Sequence, residues 1–147
     1  MAFSKKVFFV DDDPDDVEIF KEIVSDICKN CHLSVFSDGC FLLQNFERKK
    51  AFLPDLIFLD LNMPKVGGLE VLGGLSSLGI LSKVPVVIFS TSTLQSQVCM
   101  AYNKGAYLYL EKASSYSKLK KDIENILNIN WQTVDYPVSF ENFLVSS

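Results

Sequence analysis

This sequence predicts an α/β domain: five parallel strands in one sheet, with helices on both faces. Three observations carry that expectation. Short apolar runs at Val7 to Val10, Leu56 to Leu59 and Pro85 to Phe89 end abruptly in polar residues, the pattern of strands buried on both faces. Between the runs, apolar residues recur at helical spacing. Strand and helix patterns alternate through five units, which implies a parallel sheet covered on both sides. The 147 residues suit one domain, and 48% hydrophobic against 22% charged residues suffice for a substantial core.

The β-branched and aromatic run Val7 to Val10 predicts the first strand. It runs into Asp11-Asp12-Asp13-Pro14-Asp15-Asp16, where Asp13 suits a helix N-cap, Pro14 the first helical position and the acids the helix dipole. Val17, Phe20, Val24 and Ile27 then place one helix face, ending near Lys29-Asn30. Leu33 to Phe36 is a second strand, and Ser37-Asp38-Gly39 opens a helix through Phe41, Leu42, Asn45 and Phe46. Pro54 precedes the third strand, after which Leu69, Leu72 and Leu75 predict a helix over about 66–78, weakened by Gly73 and Gly74. The fourth strand ends in Ser90-Thr91-Ser92-Thr93. A helix from Leu94 to Asn103 follows, with Gly105 as its C′ residue. Tyr107 to Leu110 is the fifth strand, and Leu119, Ile123, Ile126 and Leu127 face the core from the last helix.

Charge argues against nucleic acid as a partner. The net charge is -4, and the basic runs at Arg48-Lys49-Lys50 and Lys118 to Lys121 are short, as on a solvated helix. No apolar run approaches the ~18 residues of a membrane span. The apolar stretch after Lys5-Lys6 is too short for a signal sequence. A cytoplasmic location is expected, with all four cysteines reduced.

The polar groups at the strand ends point to chemistry. An acid at the C-terminal end of a buried parallel strand lies where open α/β sheets bind ligands. Asp11 and Asp12 follow the first strand, Asp60 ends the third, Ser90 the fourth, and Lys112 follows the fifth. Carboxylates about 4 Å apart repel by roughly 4 kcal/mol per pair at an effective dielectric near 20. A hard divalent cation removes that penalty, and Mg²⁺ favours a few carboxylates with water and phosphate oxygens. Lys112 adds a compact positive charge for a phosphoryl oxygen, Ser90 a hydroxyl donor, and a carboxylate is a competent nucleophile toward phosphorus.

Val10-Asp11-Asp12, Leu59-Asp60, Asn62-Met63-Pro64, Gly68, Ser90 thirty residues after Asp60, and Lys112 twenty-two further on together resemble a two-component response regulator receiver domain over residues 5–128. The resemblance implies a flavodoxin-like, CheY-like sheet in the order 2-1-3-4-5, with 129–147 as a C-terminal extension. It implies Asp60 as phosphoacceptor, with Lys112 and Ser90 as its catalytic partners. Asp11, Asp12, Asp60 and the backbone carbonyl of Asn62 would hold Mg²⁺. Ser90 and Tyr109 would form the switch pair, and Asn62 and Ser92 would tune phosphoryl lifetime. The implied donor is a sensor histidine kinase or a histidine phosphotransfer protein, with slow self-hydrolysis and output through protein contacts. Lys112-Ala113-Ser114, with Trp131 after the last helix, is similar to small single-domain regulators paired with bacterial phytochromes. Receivers commonly have Lys-Pro with a cis bond where this chain has Lys112-Ala113. Either a trans bond or strain is expected there, because cis before a non-proline costs ~3 kcal/mol.

Other readings compete. A receiver-like binding module that works without phosphorylation is the alternative, motivated by the Lys112-Ala113 step and the tail. A phosphatase acting on outside substrates is disfavoured, since Asp60-Leu61-Asn62 lacks a second acid. Asp11, Asp13, Asp15 and Glu22 mimic a calcium loop, but Asp16 stands where that loop needs glycine. Cys28-Lys29-Asn30-Cys31-His32 spells a haem-attachment motif that reads as chance, and a zinc site there would need a fourth ligand such as Cys40. Ser90 to Thr93 also suit helix capping. The apolar tail is expected to fold back as a strap, or to make a homodimer contact.

Overall fold

The computed structural model describes residues 5–48, 52–112 and 114–145. Its strands are β1 (Lys5–Val10), β2 (Cys31–Phe36), β3 (Leu56–Asp60), β4 (Val86–Ser90), β5 (Leu108–Glu111) and β6 (Leu144–Val145). Its helices are α1 (Pro14–Ile27), α2 (Gly39–Glu47), α3 (Gly68–Ser77), α4 (Gln95–Asn103), α5 (Tyr116–Leu127) and α6 (Phe140–Phe143). All six strands are parallel, in the order β2-β1-β3-β4-β5-β6. The flavodoxin-like order holds, but the sheet has six strands where the sequence predicts five. The extra strand comes from the tail, whose last apolar residues pair Leu144 with Tyr109 and Val145 with Leu110.

Every residue of β3 and β4 is buried, as unbroken apolar runs require. Alternate side chains go to opposite faces. Ile57 and Leu59 meet Leu42, Val71 and Leu72 on the side of α2 and α3, while Leu56 and Phe58 meet Phe20 and Ile123 on the side of α1 and α5. Phe20 stacks on Phe9 at 4.1 Å between ring centres and meets Phe58 edge-on at 4.9 Å. Each such fully buried side chain contributes roughly 1.5–3 kcal/mol from area removed from water.

Local sequence sets the helix ends. Asp13 caps α1 by accepting from the Asp15 N–H at 2.9 Å, with Pro14 in the first turn. Asp38 caps α2 in the same way, through the Cys40 N–H at 2.7 Å. Gly105 follows the α4 cap residue with φ +101°, a conformation that glycine adopts without a Cβ penalty. No side chain caps α4 at Leu94; Ser92 Oγ instead accepts from the Leu94 N–H at 3.4 Å.

Helix α1 stops at Ile27, short of the expected Lys29-Asn30. Lys29 and Asn30 instead make a tight turn that carries Cys28 back to Cys31. The two form a disulfide, which corrects the expectation that all four cysteines are thiols; Cys40 and Cys99 are free. Bonded sulfurs are not the ligands that the haem or zinc readings need. The Lys112-Ala113 step lies outside the described residues.

The tail crosses the bottom of β5 and then runs up its open edge. Tyr107 donates to the Asp135 carbonyl at 3.0 Å, Tyr136 to that of Gly105 at 2.6 Å and Tyr102 to that of Val138 at 2.6 Å. Phe143 is fully buried and packs edge-on against Tyr102 and Tyr109. No helix among the described residues is long and apolar enough to cross a membrane.

Candidate functional site

The sheet order reverses between β1 and β3, and the crevice above that point is where an open α/β sheet accepts ligands. Asp11 and Asp12 leave the end of β1, and Asp60 is the last residue of β3. Carboxylate oxygens of these three residues lie within 4.8 Å of one another. Asp11 is fully buried, Asp60 is 5% exposed and Asp12 faces solvent. Among the described residues this is the one group of histidine, cysteine or acidic side chains placed to hold a metal.

Lys112 enters from the end of β5, whose position is fixed by its own N–H donating to the Ser90 carbonyl at 2.8 Å. Its Nζ lies 3.1 Å from Asp11 Oδ2 and 3.5 Å from Asp60 Oδ1, over the ring of Phe89 at 5.0 Å. The structure thus brings Asp11, Asp12, Asp60 and Lys112 into one crevice, which Asn62 and Thr91 also line. Ser90 is buried beside it; its Oγ accepts from Asn62 Nδ2 at 3.3 Å and from the Ser92 N–H at 3.1 Å. The Ser90 side chain also hydrogen-bonds with that of Tyr109. Tyr109 packs behind Ser90, and its phenol is raised by burial and by the charge of Asp60. It is fully buried, and its hydroxyl donates to the Ser92 carbonyl.

Asp16 was missed in the sequence, where it reads only as a dipole-favoured acid. Its Oδ2 takes the shortest bond from Lys112, at 2.7 Å. The signal was present. A helix capped by Asp13 puts its third residue over the crevice mouth, beside the acids of the preceding strand.

Burial dominates the electrostatics. It raises the Asp60 carboxyl to about 6, against the lowering pull of Lys112 and an Asn62 backbone N–H, while the charges of Asp11 and Asp12 raise it further. Burial likewise raises Asp11, although it accepts the Asp13 N–H at 2.9 Å and faces Lys112. For Lys112 burial acts in the lowering direction, but Asp16, Asp60 and Asp11 outweigh it and the net shift is upward. One ammonium among four carboxylates leaves the crevice short of positive charge. Hard oxygen donors with excess negative charge suit a divalent cation of the Mg²⁺ kind. Gly68 keeps the adjoining loop close: a Cβ there would lie 2.5 Å from the Asp60 carbonyl oxygen and 2.7 Å from Leu61 Cα.

A parallel sheet with acids at the ends of β1 and β3 and a lysine after β5 defines an acidic, metal-compatible crevice at the switch point of an open α/β fold. A family model for the response regulator receiver domain matches residues 7–124, and the chain belongs to that family, the receiver component of two-component signalling. Response regulator Rcp1 of Synechocystis sp. is 30% identical over 139 residues, spanning 92% of this chain and 95% of that protein. Two solved structures are similar along nearly their whole length. The phosphorylated cyanobacterial phytochrome response regulator RcpA has a TM-score of 0.80 at 29% identity, covering 93% of this chain and 100% of RcpA. The Mn²⁺-bound form of Rcp1 has a TM-score of 0.76 at 28% identity, covering 91% and 99%.

Proposed function

We propose that this receiver accepts a phosphoryl group on Asp60 from the phosphohistidine of a sensor histidine kinase or a histidine phosphotransfer protein. The observation that carries the reading is the position of Lys112 Nζ, 3.5 Å from Asp60 and 3.1 Å from Asp11, across a sequence separation that only this fold closes. An Asp60 oxygen attacks phosphorus, the P–N bond to the donor imidazole breaks, and the imidazole leaves with a proton. Lys112 balances charge on the phosphoryl oxygens, and the Ser90 hydroxyl turns to donate to one of them. Asp11, Asp12, Asp60 and the Asn62 carbonyl would hold Mg²⁺, which supplies further charge neutralisation. Water later hydrolyses the acyl phosphate slowly, at a rate influenced by Asn62 and Ser92. No external substrate is turned over.

The name of the similar RcpA, a phytochrome response regulator, supports a donor linked to a phytochrome, and a cytoplasmic site of action is part of the same reading. Residues 129–147 act in this reading as an extension of the 5–128 receiver domain. The test is intact mass after incubation with acetyl phosphate and Mg²⁺. The wild type gains one phosphoryl and Asp60→Asn gains none; no gain in folded wild type contradicts the reading.

A second reading is a binding module that needs no phosphorylation. The burial of Tyr109 favours it: the unmodified chain already holds this residue inward, against Phe143 of the tail. It expects the affinity for a partner kinase to be the same in wild type and Asp60→Asn, whether or not phosphodonor is present. The first reading expects phosphodonor to change the wild-type affinity only.

A further inference from the structure

We propose that Cys28 and Cys31 form a thiol–disulfide exchange site, taking electrons from a small dithiol or from a protein dithiol of the thioredoxin class. The inference stands apart from the phosphoryl chemistry. Cys31 opens β2 opposite Lys5, the first residue of β1, whereas Asp11 and Asp60 lie at the other end of the sheet.

The bond closes a turn of two residues between the last turn of α1 and the first residue of β2. A cross-link stabilises by restricting the unfolded chain, and the restriction shrinks with the loop it closes. So short a loop gains little. The junction also has its own ties: the Cys28 N–H bonds to the Val24 carbonyl at 2.9 Å, and the Lys5 N–H to the Asn30 carbonyl at 3.0 Å. As a structural staple the disulfide is nearly redundant.

Its surroundings suit exchange. Both cysteines are half-buried and line an open groove that also contains Lys21 and Lys29, both solvent-exposed. The two lysines give the groove a positive rim, to which an anionic donor thiolate is drawn. Two residues between the cysteines is the spacing of dithiol redox motifs beside a β-α-β pattern. The groove is the side from which a donor thiolate would approach.

The reaction balances as two displacements. A donor thiolate attacks one sulfur, the Cys28–Cys31 bond breaks, a mixed disulfide forms, and the other cysteine leaves as a thiolate that takes a proton. The donor's second thiol, as thiolate, then attacks the mixed disulfide and releases the first cysteine, which is protonated in turn. The chain is reduced by two electrons and the donor becomes a disulfide.

The experiment uses the full chain, equilibrated in glutathione buffers over a wide range of reduced-to-oxidised ratios, with and without thioredoxin. Thiols are trapped by alkylation and counted by mass. The four cysteines make the count direct. The expected result is a reversible step from two trapped thiols to four, with the two new labels mapping to Cys28 and Cys31. Cys31→Ser, which cannot form the internal bond, should lose the paired two-thiol step, its Cys28 changing only by a one-thiol step with glutathione attached. Two thiols trapped at every ratio, even with reduced thioredoxin, would overturn the proposal as a purely structural bond. Four trapped throughout, or new labels on Cys40 or Cys99, would overturn it equally.

Discussion

Lys112 gives its shortest hydrogen bond, 2.7 Å, to Asp16 rather than to Asp60, the residue proposed to accept phosphate. Asp16 is partly exposed, with 30% of its side chain accessible, so the pair is screened and worth about 0.5–1 kcal/mol. Asp16→Asn leaves the ammonium to Asp11 and Asp60 and removes a negative charge that an incoming phosphate donor must approach. The initial rate of phosphoryl acceptance from acetyl phosphate should rise about two- to fivefold, the equivalent of that pair energy. Lys112→Ala should lower it by at least about tenfold, as loss of a charge-stabilising group does. Time courses of intact mass give both values.

The raised Asp60 carboxyl makes stability depend on pH. Asp60 binds its proton more tightly folded, at about 6, than unfolded, near 3.8. Its contribution therefore favours folding below the unfolded value and is lost as pH rises through 6. Asp60→Asn carries no such charge. At pH 8 it should be more stable than wild type by about 1–3 kcal/mol, with the gap closing toward pH 4. Urea midpoints across that range check the sign.

A divalent cation should reverse the penalty. Millimolar Mg²⁺, held in the crevice of the folded chain alone under the proposed reading, should raise the melting temperature of the wild type. The gain should be larger at pH 8 than at pH 5, where protons compete for Asp60 and Asp11. Saturation a hundredfold above the dissociation constant would add about 2.7 kcal/mol. Asp12→Ala should lose most of the shift. Thermal melts with and without Mg²⁺ measure it.

Much of the fold was legible because strands buried on both faces leave no room for polar residues. The runs at β3 and β4 end where burial ends, so Asp60 and Ser90 stand out at their tips. The crevice followed from the same logic, since parallel strands bring their C-terminal ends to one side. Asp16 was not legible as a site residue, because its role depends on how far a lysine reaches from a strand three positions away in the sheet. Strand β6 was hidden for a different reason. Two residues carry no periodicity, and only the open edge of β5 makes them a strand. The disulfide depended on a helix ending at Ile27 rather than Lys29, a shift smaller than apolar spacing resolves.

Phe143 ties that short strand to Tyr109. It is fully buried, with its ring 6.2 Å from that of Tyr109. Phe143→Ala should cost about 3–5 kcal/mol from lost burial and the cavity left behind. The β6 pairing should loosen, and β5 amides facing it should exchange faster with deuterium, while those facing β4 stay protected. Unchanged exchange along β5 would mean that the tail is held by Tyr102, Tyr107 and Tyr136 alone.

The central claim is that one carboxylate, of those gathered in the crevice, takes the phosphoryl group. Borohydride reduces an aspartyl phosphate to homoserine and so marks the carboxylate that carried it. After treatment with acetyl phosphate and Mg²⁺, reduction and peptide mass mapping, homoserine is expected at position 60 alone. Homoserine at 11 or 12, or at no position in folded protein, would contradict the account.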